Sequence, residues 1–140
     1  MTGTTLRRIL ALGVLTGARS MAGLATLAAQ HGGVLKPVMG LMAAGEMVAD
    51  KTPLIGNRTD AFPQAGRAVM GALVGGFIAH EAREAVWVGA LVGAAAAVAT
   101  THLAYQLRTR LPLSATAGGL LEDALVVGTG SLYARSVGRT

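Results

Sequence analysis

Five apolar stretches separated by short polar segments are the feature that most constrains this chain. They cover Ile9–Ala29, Val34–Ala49, Ala65–Ala79, Val86–Leu107 and Ala115–Tyr133. Charged residues make up only 14% of the sequence against 52% hydrophobic residues, whereas a soluble domain is usually about a quarter charged. The chain has too little charge to cover a water-facing surface, so we expect a helical membrane protein.

These stretches predict an all-α fold, a polytopic transmembrane helical bundle that forms a single domain over residues 1–140. A hydrocarbon core of about 30 Å needs roughly 20 helical residues to cross it. Three stretches meet this length, but Val34–Ala49 and Ala65–Ala79 fall short. We therefore expect about five membrane helices, of which these two are short or re-entrant.

The spacing of two aromatic residues in the fourth stretch can be compared with the thickness of a membrane. Trp87 and Tyr105 lie 18 residues apart, which is about 27 Å along a helix. Trp and Tyr side chains collect at both interfaces of a bilayer. The spacing of these two residues therefore favours a true span over Val86–Leu107.

Pairs of glycines at helical spacing predict close contact between helices. The pattern GxxxG occurs at Gly13–Gly17, Gly71–Gly75 and Gly89–Gly93. Small residues let helix backbones approach each other in lipid, both within one chain and between copies. We expect tight packing and a homo-oligomer, although the chain has 20 glycines, so that chance spacing is the alternative explanation.

If all five stretches cross the membrane, the cationic residues divide unequally between its two sides. One side carries Arg7, Arg8, Lys51, Arg58, Arg67, Arg108 and Arg110, and the other carries Lys36, Arg83, Arg135 and Arg139. Cytoplasmic loops usually carry the excess of Lys and Arg. The sequence therefore predicts a multi-pass protein with its N-terminus in the cytoplasm and its C-terminus outside.

Ionisable residues inside apolar stretches are the leading functional candidates, because a charge there costs about 2.5 to 3.5 kcal/mol to insert. The predicted topology brings seven polar residues to one layer in the cytoplasmic half of the membrane. They are Arg19, Glu46, Asp50, Arg67, His102, Glu122 and Asp123. We expect them to form a single buried site.

The carboxylates in this predicted site outnumber the arginines, which suits a cation or a relayed proton. Glu46, Asp50, Glu122, Asp123 and His102 are the predicted binding or relay residues, and Arg19 and Arg67 are predicted to tune their charge. Two alternatives stay open. In the first, both arginines only pair with the acids and thereby hold neighbouring helices together. In the second, Asp50 lies at the membrane interface and His102 only donates a hydrogen bond.

Other functional classes lack their characteristic residues. The chain has no cysteine, so it has no disulfide and no thiolate ligand or nucleophile. Its net charge of +5 comes from scattered basic residues without interleaved aromatics, which argues against nucleic acid. Common catalytic motifs are absent, and we expect no cofactor. One enzyme interpretation stays open, in which Asp50, Arg58 and Asp60 hold a lipid phosphate through Mg²⁺.

Three motifs in this order resemble those of a known family. GARSMAGLATLA lies in the first stretch, GEMVADKTP ends the second, and GGLLEDALVVG lies in the fifth. Together they resemble the small bacterial membrane proteins catalogued as domain of unknown function 4126. The positions that carry the resemblance are Gly17, Arg19, Glu46, Asp50, Lys51, Pro53, Glu122 and Asp123. The resemblance implies a place in the bacterial inner (plasma) membrane and a role for the charged residues, but no activity.

The sequence as a whole thus predicts a small transporter or channel for a cation or proton. Its predicted partners are the lipid bilayer, further copies of the chain and the transported ion. Two other classes stay open. One is a non-catalytic membrane scaffold or assembly protein whose charges set the register of its helices, and the other is the metal-dependent lipid-phosphate enzyme.

Overall fold

Only helices occur as regular structure in the residues that the computed structural model describes, which are 1–34, 37–43, 61–110 and 115–137. The helices are α1 (Gly3–Ala18), α2 (Ala22–His31), α3 (37–43), α4 (Ala61–Glu81), α5 (Val86–Arg110) and α6 (Ala115–Val137). The predicted all-α class is therefore confirmed for this part of the chain.

The first apolar stretch forms two helices rather than one. α1 ends before Arg19, whose backbone is extended (φ −141°, ψ 123°), and α2 begins at Ala22. The chain then returns along α1, so closely that a Cβ on Gly23 would overlap the hydroxyl of Thr16. The expected single span over Ile9–Ala29 is wrong. At this reversal the Arg19 side chain is 1% exposed, so its guanidinium lies inside the bundle.

The third apolar stretch is not the short helix that its length predicted. α4 has 21 residues, about 31 Å of helix, because residues 61–64 and the polar residues His80 and Glu81 extend it beyond Ala65–Ala79. Gln64 near its start contacts α5, and Glu81 at its end contacts α2. The second stretch, Val34–Ala49, is helical at 37–43, and its residues 35–36 and 44–49 lie outside the described ranges.

The GxxxG motifs pack helices backbone to backbone. A Cβ on Gly71 of α4 would lie 2.5 Å from Gly93 O of α5, and one on Gly75 would overlap the carbonyl oxygen of Gly89. A Cβ on Gly17 of α1 would overlap a carbonyl oxygen of α5 in the same way. All three predicted motifs are thus used within the chain. The predicted homo-oligomer would need a different surface.

The apolar core lies where α1, α2, α4 and α6 meet. Ile9 and Leu12 of α1 and Val74 and Ile78 of α4 are completely buried. Outside this small core, the helices contact one another mainly through glycine, alanine and threonine. Because such contacts bring backbones close together, they hold the polar groups of neighbouring helices in a defined register.

Helix α6 runs in the same direction as α2. Near its start, Asp123 bonds Arg19 at the tip of the α1–α2 hairpin. Further along, Gly130 lies against the middle of α2, where a Cβ would be 2.8 Å from the Thr26 hydroxyl. The C-terminal end of α6 therefore lies at the end of the bundle where α1 begins. This arrangement does not fit the predicted placement of the termini on opposite sides, because the first stretch contributes two helices instead of one.

One stretch among the described residues, Val86–Leu107 of α5, is long and apolar enough to cross a membrane. It has 22 residues and a mean hydropathy of 1.6. Only 22% of its most apolar segment is buried. Trp87 near its start is 69% exposed and Tyr105 near its end is 39% exposed. Both aromatic side chains therefore lie on the outer surface, where an interfacial belt requires them.

Candidate functional site

A buried ion pair lies at the tip of the α1–α2 hairpin. Arg19 is 1% exposed, and Asp123 of α6 is 9% exposed. The guanidinium Nε donates to Asp123 Oδ1 over 2.7 Å, and Nη2 donates to the same oxygen. Two donors on one carboxylate restrict the relative orientation of the side chains, and each charge compensates for the lost hydration of the other.

The backbone around Arg19 is positioned by hydrogen bonds on both sides. Its N–H donates to Leu15 O over 2.9 Å, and its carbonyl accepts from Ala22 N–H over 2.9 Å. The Thr101 hydroxyl of α5 donates to Gly17 O over 3.0 Å. These bonds hold the hairpin tip against α5, so the ion pair is kept inside the bundle.

Arg67 of α4 is a second buried cation at the same level, with 3% of its surface exposed. It lies one helical turn before Gly71, which packs against Ala97 of α5. Thr101, which contacts the hairpin, lies one turn beyond Ala97. Because α4 and α5 are antiparallel, Arg67 lies level with Thr101. Both buried arginines therefore belong to one layer of the bundle.

Among the described residues, the two buried arginines are accompanied by two neighbouring acids of α6. Glu122, next to the acid of the ion pair, is half-buried, and these two acids balance the two arginines. Glu46 and Asp50, which make the predicted cluster net negative, lie outside the described residues, as do Arg58 and Asp60 of the enzyme alternative. Within the described ranges, no group of three or more acidic or histidine side chains is placed to hold a metal ion.

The structure corrects the predicted placement of His102. Its side chain is exposed, and its Nε2 lies 2.7 Å from Nε2 of Gln64 at the start of α4. The preceding residue, Thr101, faces α1, so His102 points about 100° away around the helix. It therefore joins α4 to α5 at the surface rather than joining Asp123 in the buried layer.

A second polar cluster, which we call the end cluster, lies where α1 begins and α2 ends. His31 Nε2 lies 2.6 Å from Glu81 Oε1, and Arg8 Nη2 lies 3.5 Å from Glu81 Oε2. Arg8 Nη2 also donates to Gln30 Oε1 over 3.5 Å. The His31 ring stands edge-on to Phe77, with centroids 5.6 Å apart. Sequence reasoning missed this cluster, because only the return of α2 along α1 brings these residues together.

A cavity of about 290 Å³ lies between α2, α3 and α6. Its walls are mainly alanine, glycine and valine, and Thr26 and Ser131 are the polar residues that line it. Among the described residues, no charged side chain is part of this lining. The cavity is therefore separate from the ion pair, and the part of its wall that the structure describes lacks groups that would orient a charged ligand.

The described part of the chain is thus an all-helical protein with an ionic group inside an apolar bundle. No protein family, curated protein or solved structure matches the chain. The likeness to domain of unknown function 4126 rests on the three motifs alone and stays a prediction. The function is therefore argued from the geometry of the site.

Proposed function

We propose that this chain is a polytopic protein of the bacterial inner membrane that moves a proton or a small cation. Arg19 and Asp123 lie at the centre of the proposed path, with Glu46, Asp50 and Glu122 as further carboxylates. The observation that carries the proposal is a buried ion pair beside a break between two helices. The proposed orientation has the N-terminus in the cytoplasm.

The apolar outer surface supports membrane embedding. Large hydrophobic side chains that are more than 40% exposed occur on five helices, α1, α3, α4, α5 and α6, and include Leu10, Val14, Leu41, Val69, Leu73, Leu91, Leu103, Leu121, Leu125 and Leu132. A soluble monomer rarely exposes an apolar patch larger than a few hundred Å². Lipid tails are as apolar as leucine and cover such side chains without that cost.

The turn between α1 and α2 supports a transport site. It brings the end of α1 and the start of α2 to one place, and helix ends inside a transporter often replace the water around an ion together with nearby side chains. In the proposed mechanism, Asp123 takes up the cation or proton while Arg19 moves to the neighbouring carboxylate of Glu122. Each buried charge then keeps a counter-charge, and this lowers the cost of the exchange.

A membrane scaffold is the second candidate, and the close backbone packing favours it. The contacts of Gly71, Gly75 and Gly17 leave no room between α1, α4 and α5, and helices packed this closely resist relative movement. The Arg19–Asp123 pair would then be a permanent clasp. Transport instead requires movement of α2 and α6, which pack on each other outside these glycine contacts.

Ion flux through the purified chain in liposomes distinguishes the two functions. We expect the native protein to move protons or monovalent cations down an imposed gradient. The double variant Arg19→Met, Asp123→Leu is expected to fold, because an apolar pair often replaces a buried ion pair without loss of stability. It is also expected to lose the flux, because its path has lost the exchanging carboxylate.

Glu84→Gln is the matched control for this experiment. Glu84 accepts a hydrogen bond from Thr2 N–H over 2.7 Å at the opposite end of the bundle, away from the proposed path. Flux that is lost in the double variant and kept in Glu84→Gln supports transport. Flux that is kept in both variants would show that the ion pair only holds the helices together and takes no part in transport. A native chain with no flux for any cation contradicts transport and favours the scaffold.

Cysteine labelling tests the arrangement of the helices in the membrane. The chain has no cysteine, so single cysteines can be placed at the exposed positions Gly3, Arg110 and Arg135. Because α1 begins and α6 ends at the same end of the bundle, we expect Gly3→Cys and Arg135→Cys to react with an impermeant maleimide from one side of sealed vesicles. Arg110→Cys should react from the other side. Opposite sides for Gly3→Cys and Arg135→Cys would support the five-span topology instead.

A further inference from the structure

We propose that the end cluster is a pH-sensitive latch that fastens the end of α2 to the end of α4. His31 is the last residue of α2, and its Nε2 lies 2.6 Å from the carboxylate of Glu81, the last residue of α4. Arg8 of α1 approaches the other oxygen of that carboxylate at 3.5 Å. The latch lies at the opposite end of the bundle from Arg19, so this inference does not rest on the proposed transport path.

The hydrogen bonds of His31 require both ring nitrogens to carry protons. Nδ1 lies 2.9 Å from the Leu27 carbonyl oxygen, which only accepts. Nε2 lies 2.6 Å from the Glu81 carboxylate, which also only accepts when it is ionised. A neutral imidazole has one N–H and satisfies only one of these acceptors. The imidazolium is therefore the only form that makes both bonds at once, and it adds the attraction of opposite charges to the bond with Glu81.

The surroundings of His31 favour the charged form. The Leu27 carbonyl has the largest influence and raises the pKa of His31 above its ordinary 6.5, and the hydrogen bond to Glu81 raises it further. Partial burial and the nearby Arg8 lower the pKa by less. The other titratable groups described at this end, none of them bonded to His31, are the N-terminal amine, Arg7, His80, Arg83, Glu84, Tyr133 and Arg135.

A glycine hinge follows the latch. Gly32 and Gly33 have φ angles of 71° and 70°, a conformation that favours glycine, and a Cβ on either would meet nothing within 4 Å. Thr26 and Ala29 of α2 line the cavity of about 290 Å³ that α2 shares with α3 and α6. When His31 loses a proton, one of its two bonds is lost and the contact with Glu81 loses the attraction of opposite charges, so the end of α2 beside this hinge is held less tightly to α4. The latch thereby controls the position of α2, which forms one wall of the cavity.

The pH at which the latch opens follows from the direction of the shift. Because the folded chain raises the pKa of His31, the latch stabilises α2 fully below pH 6.5. Its contribution is lost as the pH rises through the raised value. The side chains of His31 and Glu81 are 41% and 30% exposed, so the pair is partly screened by solvent. We therefore expect local release of α2 at alkaline pH rather than global unfolding.

Histidine NMR and hydrogen exchange on the full chain in lipid nanodiscs test the latch without a variant. We expect the His31 imidazole to titrate above 6.5. Protection factors of the amides at residues 27–33 should fall by about threefold to fivefold when the pH rises from about 6 to about 9. Protection in α5 should stay constant over the same range, because the polar contacts that form the latch join α1, α2 and α4.

Two variants separate the latch from a general effect of pH. Glu81→Gln removes the acceptor charge, so the pKa of His31 should fall towards 6.5 and the pH dependence of protection at 27–33 should disappear. His80→Asn is the matched control, because His80 neighbours Glu81 on α4 but does not bond His31. It should change neither result. An unshifted His31 in the native chain, or protection that keeps its pH dependence in Glu81→Gln, would overturn the proposal.

Discussion

Replacing Asp123 by leucine, with Arg19 left in place, is expected to lower the free energy of unfolding by about 3 to 5 kcal/mol. Arg19 is 1% exposed, and its Nε and Nη2 both donate to this carboxylate. Without Asp123, the guanidinium stays buried but loses a counter-charge that helps to offset its lost hydration. Arg19→Met should have a similar effect, because it leaves the carboxylate buried in its place.

Unfolding by SDS in mixed micelles, followed by circular dichroism, measures these free energies. The double variant Arg19→Met, Asp123→Leu should recover most of the loss, since an apolar pair is often as stable as the buried ion pair that it replaces. The two single effects are therefore expected to be strongly non-additive. Single variants as stable as the native chain would contradict a buried and coupled pair.

The second large effect is expected at the contact between α4 and α5. Gly75→Ala should lower the free energy of unfolding by about 3 kcal/mol. A Cβ on Gly75 would overlap the carbonyl oxygen of Gly89 and lie 3.1 Å from Gly93 Cα. These neighbours are backbone atoms, which cannot rotate away as the end of a side chain can. The two helices must therefore move apart, and contacts along the whole interface weaken.

Gly128→Ala is the matched control for this substitution. Gly128 is an exposed helical glycine of α6, and a Cβ there would meet nothing within 4 Å. Alanine should stabilise the helix at this position by about 0.5 to 1 kcal/mol, because it loses less backbone entropy than glycine. Opposite signs at the two positions are the expected result. Equal effects at Gly75 and Gly128 would show that helix propensity, not close packing, determines the outcome.

Helix boundaries that depend on local sequence were predicted well. The sequence predicted that α5 begins at Val86, and this helix begins there. The HGG segment likewise ends α2, at His31. Such boundaries are predictable because glycine, proline and charged residues act on the backbone beside them. The length of α4 was predicted less well, since its polar ends are held by contacts with other helices.

The chain reversal at Arg19 was not predicted, although Arg19 itself was recognised as unusual. Residues 9–29 are apolar enough for one continuous helix, and no proline interrupts them. What favours the reversal is a partner 104 residues away in the sequence, because Asp123 bonds Arg19 only when α1 stops at this level. The same reversal produces the end cluster, which joins residues from α1, α2 and α4.

The sequence by itself determined the all-helical class, the apolar surface and the charged residues that are out of place in it. These properties follow from composition and from local backbone preferences. Only the tertiary structure decided which charged residues pair and that the glycine motifs pack helices within the chain. It also decided that α1 begins and α6 ends at the same end of the bundle. Those outcomes depend on the direction in which each helix runs. Helix direction is set by packing between distant segments, and no local pattern in the sequence records it.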